Sequence, residues 1–414
     1  MFKHILTLIL LCVSVAVNAQ SSRSFVQNVR TTQIMLNDEW GQLPVMQLGS
    51  DDVLHFSFDE MSHVYHRYTY RIVHCNADWS QSELFPIDYL EGFNDQPIED
   101  WQTSENTTQL YSHYQFYLPN DDVSLKVSGN YKVEVYDDEA DDDTPIALFG
   151  FLVVEPRVGI EAQVSSDTEI DRNATHQQVS FKVNYAGYDI SSPATETKVR
   201  VFQNRRLDNF IDGIKPTYIT SGQLEYVHNR ELIFEAGNEF RRFEVTDPHS
   251  PGMNVESIVY SEPYHHVQLY ADTPSRSYSN VRDENGRFYV NTLEGYGSAM
   301  EADYSLVHFR LNTPYRTGGN YYLLGDYWGN RFSDSNKLLY DSNEGAYVTT
   351  QLMKFGVHNY QYVWLPTGAK CALTAVAEGD FFNTENEYLI LVYHRAFGSR
   401  YDRLIGVQRV YFSY

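Results

Sequence analysis

Cysteine is scarce: 414 residues hold three, and Cys12 falls in an N-terminal apolar stretch that reads as removable. The other two, Cys75 and Cys371, stand nearly three hundred residues apart, which excludes a disulfide-dense scaffold and leaves hydrophobic cores to supply stability. Two buried thiols are the expectation. Long apolar runs are missing beyond residue 19. The longest, Tyr388 to Tyr393, is strand-sized against the roughly 20 residues of a spanning helix, so no direct membrane span is expected. Positive charge is short as well, with 31 Lys and Arg against 55 Asp and Glu, a net charge of −24 at pH 7. Such a chain repels nucleic acid and anionic lipid. Also lacking are a G-x-S-x-G elbow, an H-E-x-x-H helix, a Walker loop and a strand-borne G-x-G-x-x-G, the commonest signatures of hydrolases, metalloproteases and nucleotide enzymes.

What is present begins with Lys3, an apolar run from Ile5 to Val17 and Val17-Asn18-Ala19 before Gln20, the layout of a secretory signal over 1–19. A lipoprotein reading of Cys12 is disfavoured by Leu11, where a small residue is expected. The 33 tyrosines, 23 phenylalanines and 5 tryptophans favour strands and interfaces over helices.

Period-two alternation dominates: Leu54, Phe56 and Phe58 share one face, as do Tyr131, Val133 and Val135. Six or seven such strands in the first third suit an immunoglobulin-like sandwich. The fold class expected is all-β, three immunoglobulin-like or early-set β-sandwich modules in series over 20–155, 156–275 and 276–414. Asn285-Gly286 suggests a two-residue hairpin turn between 278–283 and 287–290. The stretch between Trp79 and Gln109 is too long for a hairpin, and Pro86, Gly92 and Pro97 oppose a helix. It either carries partner contacts or covers a sheet edge.

Chemistry is hard to place. His74 and Cys75 are adjacent, and on a strand they point to opposite faces, against a nucleophile pair. His265-His266 has the same difficulty as a metal site, and His63 with Tyr65 or His66 with Tyr68 supplies too few ligands for zinc. The run from Asp137 to Asp143 has neither the glycine nor the closing glutamate of a calcium loop and reads as a solvated hairpin tip. No carboxylate pair stands out for glycosidase work. Tyr327 and Trp328 could stack on a sugar, although packing in the sandwich or a protein interface is the simpler reading. No catalytic residue, cofactor or metal site is assigned.

Several local sequences are more distinctive than a generic sandwich. They are His74-Cys75-Asn76-Ala77-Asp78-Trp79, Glu91-Gly92-Phe93, Tyr111 to Asn120, Ser128 to Tyr131, Phe202-Gln203-Asn204 with Arg206, Gly237-Asn238-Glu239-Phe240-Arg241, Asp283 to Tyr289, and Glu301-Ala302-Asp303-Tyr304. Together they resemble the plug protein of the type IX secretion system of Bacteroidota. About seventy residues from Gly319 onward also resemble early-set immunoglobulin modules found beside glycan-active domains, a likeness of fold alone.

The plug resemblance implies a non-enzymatic periplasmic protein, monomeric in its complex. Its implied partner is a giant outer-membrane β-barrel translocon, whose periplasmic mouth it closes. Candidate contacts are Phe85, Tyr89, Phe93 and Trp101 in the long loop, with Arg205 and Arg206. The motif residues His74, Cys75, Asp78, Trp79, Gly129, Asn130, Tyr131, Asn238, Glu239 and Arg241 are read as structural: a buried Trp79, a turn at Gly129-Asn130, and Arg241 paired with a carboxylate. The rival reading is a periplasmic or surface glycan-binding protein.

Overall fold

Gly129–Asp137 turns Tyr131, Val133 and Val135 inward and lies antiparallel between Tyr68–Cys75 and Ala147–Val154. This is the centre of the first sheet in a computed structural model that describes residues 21–140, 143–293 and 298–413. The expected signal segment and residues 141 and 142 of the acidic run lie outside the described residues. Arg23–Ser24 and Gln96–Pro97 form the sheet's edges, and Val45–Gln47 pairs in parallel with Ala147–Val154. The facing sheet runs Val29–Leu36, Leu54–Glu60, Ser112–Leu118, Asp100–Thr103. Phe56 stacks on Phe116 at 4.9 Å and Phe58 on Tyr114 at 5.3 Å between the two. Each such buried ring contributes about 1.5–3 kcal/mol.

A second sandwich sets Gly159–Ser165, His176–Asn184, Gln223–Tyr226 and Tyr218–Thr220 against Ile211–Asp212, Thr197–Gln203, Glu387–His394 and Arg403–Tyr411. A third sets Val255–Ser261, Tyr264–Leu269, Tyr304–Leu311, Ala346–Lys354 and Leu339–Asp341 against Arg241–Val245, Gly356–Pro366 and Phe288–Val290. The fold is all-β and built of sandwiches. The pairing departs from a boundary at 275/276, because the strands Glu387–His394 and Arg403–Tyr411 return to Thr197–Gln203 and complete the second sandwich. The third sandwich is thus inserted within the second.

The Asn285-Gly286 turn forms, with φ of 51° and 83° and Arg287 N donating to Glu284 O at 3.2 Å. It does not join a hairpin, since Phe288–Val290 pairs with Gly356–Pro366 and 278–283 is not a strand. The Asp283 carboxylate accepts from the backbone N–H groups of Phe240 and Asn285, which holds that arm in another conformation.

Each sandwich touches the other two. Leu148 and Leu152 of the first pack with Phe202, Leu389, Leu391 and Leu404 of the second. Between second and third, Glu387 takes Arg287 at 2.8 Å. Between first and third, Lys354 reaches Asp59 at 2.6 Å, with both side chains 1% exposed. His113 and the Tyr304 hydroxyl complete the Asp59 shell at 2.7 and 2.6 Å. Burial pushes the Asp59 carboxyl up, but the Lys354 ammonium and His113 outweigh it and hold it below its ordinary range.

Candidate partner-binding surface

The long loop is ordered by its own hydrogen bonds and still leaves large apolar side chains in water. Phe85 N donates to the Asp88 carboxylate at 2.9 Å, and Pro86 opens the single turn Pro86–Tyr89, where a missing N–H costs nothing. Leu90–Gly92 then pairs with Val123–Leu125. At Gly92, with φ +95°, an added Cβ would lie 1.9 Å from Asp122 O, so only glycine admits this approach. The Asn94 amide accepts from Ile72 N through Oδ1 and donates to Ile72 O through Nδ2, both at 2.8 Å, and Arg71 holds Asp95 at 2.7 Å. The rest of the loop supplies strands to both sheet edges, Gln96–Pro97 in one and Asp100–Thr103 in the other.

On this frame Phe85, Ile87 and Phe93 are 69%, 78% and 82% exposed. The second sandwich sends a loop against the 83–88 turn. Its 395–400 loop docks through Arg400, which meets Asp88 at 3.1 Å while Glu83 N donates to Arg400 O, and Phe397 at its tip is wholly exposed. Large apolar side chains this exposed, amid charged residues, are candidates for partner contact. Ile87 and Phe397 escaped the sequence reading: Ile87 is not aromatic, and the Phe397 loop meets the 83–88 turn only through the return of the C-terminal strands.

The other expected contacts lie elsewhere. Tyr89 is buried, its hydroxyl donating to Ile72 O at 3.0 Å. Trp101 is half-buried, 5.0 Å from the Tyr65 ring and 6.2 Å from that of Tyr114. Arg205 pairs with Asp326 at 2.5 Å. Arg206 is buried, bound to Asp208 at 2.7 Å and to Thr374 at 2.7 Å. Both arginines tie the second sandwich to the third, so neither is presented to a partner.

The motif residues gather at these junctions. His74 is buried, contacting Ser82 Oγ at 2.8 Å and Ser128 O at 3.2 Å, and burial lowers it to about 4. The Cys75 thiol is pushed up to about 12 by burial, which removes any thiolate–imidazole pair. An added Cβ at Gly129 would lie 2.4 Å from His74 Nε2. Asn130 bonds the carbonyls of Asn76 and Ala77 and accepts from the Tyr393 hydroxyl at 2.7 Å, while Tyr131 donates to Val127 O at 2.7 Å. Asp78 accepts from Ser80 N at 3.0 Å. Trp79, buried with φ 66°, packs in the cluster joining first and second sandwiches. In the later motif Asn238 donates to Glu378 O at 2.9 Å, Glu239 accepts from Tyr278 and Glu385 N, and Arg241 pairs with Glu378 and Asp272.

No group of three or more metal-ligating side chains occurs among the described residues. His266 and His308 meet at 2.9 Å as a lone pair. Cys75 and Cys371 are free thiols, the first buried and the second exposed. Tyr327 and Trp328 pack partly buried against the third core, bonded to Leu352 O and Gln351. A cavity of about 170 Å³ where the three sandwiches meet is lined by Trp40, Trp79, Phe202 and Phe288, with Arg205 and Asp326 paired at its wall. No helix among the described residues is long and apolar enough to cross a membrane.

The family model for the type 9 secretion system plug protein 1st domain matches residues 29–155. A crystal structure of a hypothetical protein from Parabacteroides merdae ATCC 43184 is 40% identical, covering 95% of this chain and 99% of that one, with a TM-score of 0.93. No curated protein matches.

Proposed function

Because the chain belongs to the type IX secretion system plug family, with a role in that secretion, we propose that it is a non-enzymatic periplasmic plug. It binds, as a monomer, the periplasmic mouth of the system's giant outer-membrane barrel and closes the pore. A barrel wide enough for folded cargo encloses an aqueous lumen that would leak if left open. Closing it takes a stiff body with a releasable interface of mixed character and a few aromatic anchors. The observation that carries this reading is the exposed set Phe85, Ile87, Phe93 and Phe397, held on ordered loops of two interlocked sandwiches.

The test is affinity purification of the tagged protein from native envelopes, with the variant Phe85→Ser/Ile87→Ser/Phe93→Ser/Phe397→Ser alongside. The wild type should recover the barrel, and the variant should recover at least about tenfold less at an unchanged melting temperature. Undiminished recovery by the variant rejects this surface. Retention on polysaccharide resin with no barrel recovered rejects the plug reading.

A further inference from the structure

A groove of about 880 Å³ runs along the edges of the first sandwich, between the 207–210 segment of the second and the 327–333 segment of the third. In a chain of net charge −24 its charged lining is cationic: Arg23, Arg30, Arg331 and Lys370. The one carboxylate among the described lining residues, Asp208, is already held by Arg206. Nε of Arg23 and Nε of Arg30 are buried with no hydrogen-bond partner among the described residues. Arg331 donates to Ser21 Oγ at 3.1 Å. Burial, then the nearby Arg23 charge, lowers it to about 10. The Arg23 and Arg30 guanidinium groups, each with a buried, unpartnered Nε, gain from an anion set beside them.

Two further features bear on what kind of anion fits. Asn330, 4% exposed, lines the groove with Oδ1 unpartnered while its Nδ2 donates to Asp326; that oxygen calls for a donor. Arg23–Ser24 and Val29–Leu36 are both edge strands, and the bulge between Arg30 and Gln33 leaves the Thr31-Thr32 backbone out of the ladder. An extended polypeptide brings carboxylates for the arginines and N–H donors for Asn330 and the open edge, and Phe25, its ring 4.4 Å from the Arg23 guanidinium, adds an apolar wall. We infer that this groove binds an acidic, extended segment of a partner polypeptide, by strand addition and arginine–carboxylate pairing.

The inference does not rest on the barrel reading and is tested on the folded chain alone. A fluorescein-labelled peptide of alternating glutamate and tyrosine should bind saturably and weaken as salt rises. Arg23→Ala/Arg30→Ala should lower that affinity about tenfold or more without altering the melting curve. Should the double variant fail to fold, Lys370→Glu, at an exposed site, must weaken binding instead. Equal binding of a lysine–tyrosine peptide, unchanged affinity in the folded variants, or a preference for polygalacturonate over the peptide would each overturn it.

Discussion

At Gly129 a methyl group would sit 2.4 Å from the His74 ring, at a φ of +150°. Gly129→Ala should therefore cost about 3 kcal/mol through clash and backbone strain, read as a lower urea midpoint at unchanged slope. Lys354 poses the opposite problem, an ion pair that water does not reach. Lys354→Met leaves Asp59 charged and buried with only His113 and the Tyr304 hydroxyl against it, and should cost about 4 kcal/mol, whereas Lys354→Met with Asp59→Asn should restore most of it. A double variant no more stable than the single one would refute that account. The pH dependence follows from the same pair. Asp59 in the fold titrates below its unfolded value, so its contribution is present above about pH 4 and is lost as pH falls through the lower folded value. In the Asp59→Asn variant this acid-side loss should shrink.

The segment leading into the strand Arg241–Val245 holds Glu239, a carboxylate with the reverse sign. Burial pushes Glu239 up to about 7 from its ordinary 4.5, and neighbouring Asp283 is pushed up to about 6. The folded state then binds more protons than the unfolded between those values, so stability falls as pH rises from 4.5 to about 7. Glu239→Gln keeps an oxygen for Tyr278 and Glu385 N, and should raise stability at pH 8 by on the order of 1 kcal/mol. Equal melting temperatures of the two proteins at pH 8 would refute this. Elements also decide how much was legible in the sequence. Strands such as Leu54–Glu60 and Gly129–Asp137 announce themselves by alternation. The exposed Phe85 and Phe93 were visible as aromatics in an overlong loop, but Tyr89, of the same type in the same loop, is core; residue type does not report which way a one-turn helix faces. The return of Glu387–His394 to Thr197–Gln203 left no trace of its pairing partner in the sequence. Its one signal was the unbroken apolar run Tyr388 to Tyr393, because a strand buried on both faces loses its polar alternates. Tyr388, Ile390 and Val392 enter the second core, and Leu389, Leu391 and Tyr393 the junction with the first.

Across the whole molecule, the three pairwise junctions make a closed triangle, and in a triangle no sandwich can swing without breaking two contacts. The proposed plug role would benefit from that stiffness. The chain path makes the triangle depend on its end. Truncation after Glu385 removes Glu387–His394 and Arg403–Tyr411, half of one sheet of the second sandwich together with Leu389, Leu391 and Leu404 of the junction. The product should lose the second sandwich to proteolysis although most of its sequence remains. A fragment of residues 21–155 keeps both sheets of the first sandwich and its own core and should fold. It leaves Leu43, Val73, Trp79, Leu148 and Leu152 uncovered, so it should self-associate or bind a hydrophobic dye where the intact chain does not. Limited proteolysis and size-exclusion measurements on the two truncations check this. A protease-resistant second sandwich in the first product would mean that the C-terminal strands are an addition to that sandwich and that the triangle closes without them.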